Sequence, residues 1–361
     1  MKKRKYMKKL ISIFLTSIML VQTPLTTLAS DVNIFTDGVE EIQSEVEDEP
    51  DIFEMNDEEN DKSKIDEDIF SEENNDNESI LKDNADASEQ EMQILSDGDE
   101  ITYTDKENLT WKLDKEGTLT ISGKGNISDA QWDNYDKNKV KNLVIDEGIT
   151  SITSIKNSDG VFSGCNNLIS VVLPDSLTSI GRYAFSGCSN LRNIEFPDTL
   201  TFIGFCAFAH CSSLDNIVFP DSLETIESYA FSHCSKLSSV SLPNAMTSIY
   251  DATFARCSNL SSITLPDSLT SIGSSAFDEC SSLESVILPD SLTFIGSSAF
   301  SECTSLNNIV LPDSITSIEF GTFSYCSSLS SVVLPESLSS IGNQAFRGCT
   351  NLSDIKLPSS L

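Results

Sequence analysis

From residue 165 onward, the apolar positions of this chain recur with a fixed step of 23 residues. Each unit follows one pattern, C-x-x-L-x-x-[IV]-x-[LF]-P-x-[STA]-[LIM]-x-x-I-x-x-x-[AT]-F-x-x-C. Nine cysteines keep the phase, from Cys165 and Cys188 through to Cys349, and nine prolines from Pro174 to Pro358 keep it with them. Eight full units run without an insertion, and a ninth stops at Leu361. Within a unit, Leu168, Val171 and Leu173 frame a short β-prone stretch. Units wound into equal coils and stacked in phase pair these stretches as parallel strands about 4.8 Å apart. Leu168, Val171 and Leu173 then point inward and Val172 points outward. The proline ends the strand because it has no N–H for the ladder, and the Asp or Ser around it suits a turn. Leu177 and Ile180 bring the chain back inward, and Ala184-Phe185 fills the coil. One such unit cannot bury its own apolar face, so at least three must stack. The predicted fold is a β-rich solenoid with short parallel strands stacked every 23 residues.

Residues 140–164 read as a degenerate first coil. Ile145, Ile149, Ile152 and Phe162 match the apolar columns, Asp146 replaces the proline, and about five residues are inserted near Ser154–Asp159. Upstream, Leu109–Leu113 and Thr118–Ser122 alternate in character around Asp114–Gly117, a β-hairpin signature. A solenoid needs its open end covered, so residues 101–139, with Trp111 and Trp132, are expected to form an N-terminal β-hairpin cap. The solenoid itself spans residues 140–361.

The repeat resembles that of the BspA-like leucine-rich repeat family of bacterial surface proteins. The likeness is carried, for example, by Leu265-Pro266-Asp267-Ser268-Leu269-Thr270-Ser271-Ile272-Gly273, followed by Ala276-Phe277 and Cys280. It covers about residues 140–361. The resemblance implies a leucine-rich repeat solenoid displayed at the cell surface, several members being adhesins for host or microbial partners. It also implies that the Trp-bearing stretch before the repeats is a cap.

The charge is uneven. Of the net charge of −33, residues 31–100 carry −25, from 28 acidic and 3 basic side chains. That segment cannot bury enough apolar surface to offset its chain entropy, and it reads as a disordered acidic linker. Its Ile52/Phe53 and Ile69/Phe70 pairs would also suit short interaction motifs. Residues 1–30 read as a signal peptide: Lys2, Lys3, Arg4, Lys5, Lys8 and Lys9 precede the apolar run Leu10–Val21, with small residues at Ala29 and Ser30. An uncleaved anchor is the alternative. The chain is therefore expected outside the cell or at its surface, with the mode of attachment not visible. With no basic patch, nucleic acid is not an expected partner.

Candidate chemistry is sparse. The in-register cysteines would sit about 5 Å apart, which permits disulfides, yet parallel side chains need not meet the required dihedral. The other reading is a ladder of buried, reduced thiols contacting carbonyls. Cys206 lies outside the register and is free to pair. No C-x-x-C occurs, and a straight file of thiols does not make a tetrahedral metal site. His210 and His233, one period apart, read as a tolerant solvent-facing position. The column Asp175, Asp198, Asp221, Asp267, Asp290 and Asp313, with Asn244 and Glu336, reads as turn chemistry after proline rather than a carboxylate array. The many Ser and Thr read as surface filler. No cofactor, metal or catalytic residue is expected, and the chain is not read as an enzyme.

Specificity in a solenoid lies in its variable columns. The outward strand column reads Val172, Glu195, Val218, Ser241, Thr264, Ile287, Val310, Val333 and Lys356. Its aliphatic members Ile287, Val310 and Val333 form a strip that marks a candidate contact zone. Phe202, Phe205, Phe294 and Phe320 interrupt columns otherwise held by smaller residues. They are either binding anchors or lateral packing between coils. The candidate protein-binding surface is thus Val172, Glu195, Val218, Ile287, Val310 and Val333, with Phe202, Phe294 and Phe320. The expected partner is a host matrix protein or another cell-surface protein. The alternative is an envelope spacer with no specific ligand. The sequence breaks off mid-repeat, which predicts either a truncated product or end-to-end self-association through an uncapped rung.

Overall fold

A computed structural model describes residues 101–105, 107–128, 137–153, 160–353 and 355–361. The expected signal peptide, the acidic linker, Trp132 and the inserted residues 154–159 lie outside them. The N-terminal part forms β1 (Ile101–Thr104), β2 (Thr110–Leu113), β3 (Thr118–Ser122) and β4 (Gly125–Ile127). After a turn of 3-10 helix at Lys137–Lys139 come β5 (Asn142–Ile145) and β6 (Ile149–Ile152), then β7 (Ser170–Val172), β8 (Ser179–Ile180), β9 (Asn193–Ile194), β10 (Phe202–Ile203) and β11 (Thr225–Ile226).

Two stacks of strands run along the molecule, each broken into shorter sheets. The N-terminal sheet of the first is ordered β1-β2-β3-β5-β7-β9 and that of the second β11-β10-β8-β6-β4; short parallel sheets over residues 239–264 and 308–333 continue the first, and over 248–295 and 317–341 the second. The expected hairpin is present as β2 and β3, paired antiparallel. Two further strands complete it. β1 adds to β2 antiparallel, and β4 pairs in parallel with β6. β3 then pairs in parallel with β5, so one strand of the cap heads each stack. β5 pairs with β7 at an offset of 28 residues, with Ser170 Oγ donating to Asn142 Oδ1, which accommodates the longer first coil. β6 pairs with β8 at the same offset, and the pairings of the coils beyond keep the 23-residue step, as in Val240↔Ile263, Ile272↔Ile295 and Val310↔Val333.

The interior is as the columns predict. Leu168, Val171, Leu173, Leu177, Ile180 and Phe185 are buried, and so are most of their counterparts in the central coils, with Phe196 and Leu265 of the Leu173 column partly buried. The phenylalanines from Phe162 to Phe346 stack face over face with centroids 5.3–5.8 Å apart. Trp111 closes the head of this file, 6.3 Å from Phe162, and its indole N–H donates to Asp105 Oδ2 at 2.8 Å. Aromatic pairs at such distances add to the area they bury.

The third side of each coil has no strand, yet its backbone is paired. Alternate residues donate forward to the next coil: Tyr183 N to Phe205 O, Phe185 N to Ala207 O and Gly187 N to Ala209 O. The residues between them donate three residues back, as Ala184 N does to Gly181 O. This path needs left-handed backbone at two positions per coil. One column holds Gly187 (φ 74), His210 (61), His233 (62), Arg256 (60) and Glu279 (57); the other holds Tyr183 (54), Cys206 (52), Ala252 (51) and Ser275 (52). Non-glycine residues there carry a local strain that the coil-to-coil bonds outweigh.

The Ser and Thr are not filler. After most proline-turns a hydroxyl donates back to carbonyls of the preceding coil: Thr199 to Asp175 O and Leu177 O, Ser268 to Asn244 O and Met246 O, Ser291 to Leu269 O. A second file follows the cysteines, with Ser258 donating to Ser235 O and Ser281 to Ser258 O. A third holds Thr201 to Thr178 O and Thr293 to Thr270 O. These bonds join neighbouring coils along the stacking direction.

Candidate protein-binding surface

The strands of the first stack expose two positions per coil. The leading one is Ser or Asn: Asn193, Ser239, Ser262, Ser285, Asn308 and Ser331 are all exposed. The trailing one is the variable column. In it Ile287 is 86% exposed, Val310 58% and Val333 51%, and Val310 and Val333 are in direct register. Val218 is 80% exposed but stands alone between Glu195 and Ser241, both also exposed.

Val172 does not belong to this surface. It is 6% exposed, against the outward position expected for it. Its register partner is Val144 of β5, so its neighbour is another branched aliphatic on the irregular first coil. The phenylalanines do not join the strip either. Phe202 and Phe294 lie in the second stack, paired with Ser179 and Ser271. Phe202 is half-buried, whereas Phe294 and Phe320 are about half exposed. Phe205 shows lateral packing: it sits 5.5 Å from the Tyr183 ring and 5.6 Å from Tyr229, with the Arg182 guanidinium 4.8 Å over its face. The nine candidates therefore occupy separate faces, and the aliphatic strip is the contiguous part.

The thiols form a ladder of free, buried cysteines. Cys188 donates to Phe162 O at 3.2 Å, Cys211 to Phe185 O at 3.2 Å, and the contact repeats to Cys349 and Phe323 O at 3.1 Å. Burial pushes Cys211 and Cys257 up to about 12, which suppresses the nucleophilic thiolate. Cys206, out of register, is likewise pushed up to about 12 by burial. His210 and His233 are more than tolerated surface. Their rings stack at 4.2 Å, and His233 Nε2 accepts from Arg256 Nη1 at 3.0 Å. Arg256 also pairs with Glu279 at 3.2 Å, so one side-chain ladder runs over these left-handed positions. Among the described residues, no group of three or more His, Cys, Asp or Glu is arranged to hold a metal ion.

The BspA type leucine rich repeat region matches residues 153–283 and 247–361, as six copies. The chain belongs to the BspA-type leucine-rich repeat family. Three solved leucine-rich proteins are similar to it. A leucine-rich repeat protein from Bacteroides ovatus is 27% identical, over 70% of this chain and 94% of that one, with a TM-score of 0.33. A leucine rich cell surface protein from Faecalibacterium prausnitzii is 24% identical over 72% and 83%, with a TM-score of 0.39. A leucine-rich repeat protein from T. pallidum is 24% identical over 56% and 90%, with a TM-score of 0.40. No curated protein matches the chain. Among the described residues of this BspA-type chain, no helix is long and apolar enough to cross a membrane.

Proposed function

We propose that this chain is an exported, non-enzymatic protein that binds another protein through the first stack of its solenoid, in adhesion or a host–microbe contact. The observation that carries the reading is the strip Ile287–Val310–Val333. Three branched aliphatics project to solvent on successive coils, beside a leading column made of Ser and Asn. Contiguous apolar surface is costly to expose and is used for contact. Residues 1–30, with their basic start and apolar run, support export, and family membership supports display at the surface. Phe294 and Phe320 offer secondary anchors on other faces.

The test is attachment of the secreted chain to immobilised host matrix proteins and to whole cells. Fully burying an aliphatic contributes about 1.5–3 kcal/mol, of which the costs of association leave only a part as affinity, so Ile287→Ser, Val310→Ser and Val333→Ser together should weaken attachment by about a hundredfold or more. Circular dichroism should be unchanged, because the three side chains lie outside the interior. Attachment no greater than that of an acidic control protein, or indifferent to the triple variant, would refute the reading and leave an envelope spacer.

A further inference from the structure

The surroundings of the strip specify its occupant. Residues 257–346 contain nine acidic residues and no Lys, Arg or His; Arg256 and Arg347 bracket this stretch. Four of the acids, Asp267, Asp290, Asp313 and Glu336, are exposed and occupy the same position on successive coils. They lie three residues beyond Thr264, Ile287, Val310 and Val333, across a Leu-Pro pair whose proline is buried in each coil. A file of carboxylates thus runs parallel to the strip, one per coil, on coils whose strands stack about 4.8 Å apart. Glu284, exposed three residues before Ile287, adds negative charge on the other side. Among the described residues, none of the four carboxylates forms an ion pair with a lysine or arginine.

We infer that the strip receives a cationic protein segment whose aliphatic side chains cover Ile287, Val310 and Val333 while its Lys or Arg side chains meet the carboxylate file. The inference rests on the contact-zone reading above and names its partner class. Charge complementarity decides between occupants. Anionic lipid, nucleic acid and acidic protein are repelled from a face with no positive charge across four coils. An apolar centre with a charged rim is the usual anatomy of a protein contact, and here the rim has one sign. Opposing charge steers encounter and makes association sensitive to salt.

The experiment uses the full chain and synthetic peptides of alternating Leu and Lys, Ser and Lys, Leu and Ser, and Leu and Glu, with binding followed by fluorescence anisotropy. Residues 31–100 are the same in every variant, so whatever cationic peptide their acids hold cancels and the readout is the difference between parent and variant. The Leu–Lys peptide should bind the parent about tenfold or more tightly than the Ser–Lys peptide, and the Leu–Glu peptide should not bind. The quadruple variant Asp267→Asn, Asp290→Asn, Asp313→Asn and Glu336→Gln should lose about tenfold or more for Leu–Lys, and its difference from the parent should shrink as salt is raised. The Ile287→Ser, Val310→Ser, Val333→Ser variant should lose both the Leu–Lys and the Leu–Ser peptides. Unchanged Leu–Lys binding by the quadruple variant overturns the cationic partner but leaves the contact zone standing. Unchanged Leu–Ser and Leu–Lys binding by the Ser variant overturns the contact zone itself. Light scattering that shows a dimer dispersed by either variant replaces the cationic partner with a second copy of this chain.

Discussion

The smallest recurring unit of stability here is a single hydroxyl donating to the coil before it. Ser222 donates to Leu200 O at 2.7 Å and Ser268 to Met246 O at 2.7 Å, but the equivalent position between them is Ala245, which has no hydroxyl to offer Asp221 O or Leu223 O. Ala245→Ser should therefore stabilise the array by about 1 kcal/mol, and Ser291→Ala should cost about the same. Urea titration followed by circular dichroism measures both. The hydroxyl files escaped the sequence because Ser and Thr are also the ordinary residues of turns and surfaces; their 23-residue phase was visible, but its chemistry was not. The left-handed columns were hidden for a different reason. Gly187 announces such a conformation, while His210, Arg256 and Glu279 adopt it without a compositional sign. Val172 misled because the pattern assumes identical coils, and its neighbour on one side is the irregular first coil.

At the scale of elements, the phenylalanine file and the thiol ladder bind the coils into one interior. Both were legible, because a large buried ring and a small buried sulfur each tolerate few substitutes at fixed spacing. Phe254 lies between Phe231 and Phe277, 5.7 and 5.8 Å away. Phe254→Ala should cost about 3–5 kcal/mol. The damage should stay local, since each coil touches only its neighbours. Hydrogen exchange should show lost protection in the coils on either side and retained protection near Trp111. The thiols give the fold a pH limit. Burial raises Cys211 and Cys257 from an ordinary 9.0 to about 12. Below 9 the thiol is neutral whether folded or not, and stability is fully present. Between 9 and 12 the unfolded chain ionises while the folded one does not, so stability falls as pH rises. Each such thiol withdraws about 1.4 kcal/mol per pH unit. The urea midpoint should drop steeply between pH 8 and pH 10.5, and Cys211→Ala with Cys257→Ala should flatten that slope.

For the molecule as a whole, equal coil length is the governing fact. Removal of Ser258–Cys280, one complete period, should leave a folded protein with an unchanged circular dichroism spectrum per residue. The same excision shortened by one residue should throw every later column out of phase and abolish the thermal transition of the C-terminal coils. The proposed binding face was only partly legible at this scale. Ile287, Val310 and Val333 follow from the column, but their separation from Phe294 and Phe320 depends on which side of the coil each position reaches. The bonds between coils run along the stacking direction, as Gly204 N to Ile180 O and Gly296 N to Ile272 O do. Tension applied between the two ends therefore loads one interface at a time, like a seam opened stitch by stitch. A coil that lets go pays out 23 residues of chain, about 80 Å when drawn straight, in place of its stacked rise of about 4.8 Å. A tether built this way yields in small steps under a pull and lengthens many times over before its last coil is lost.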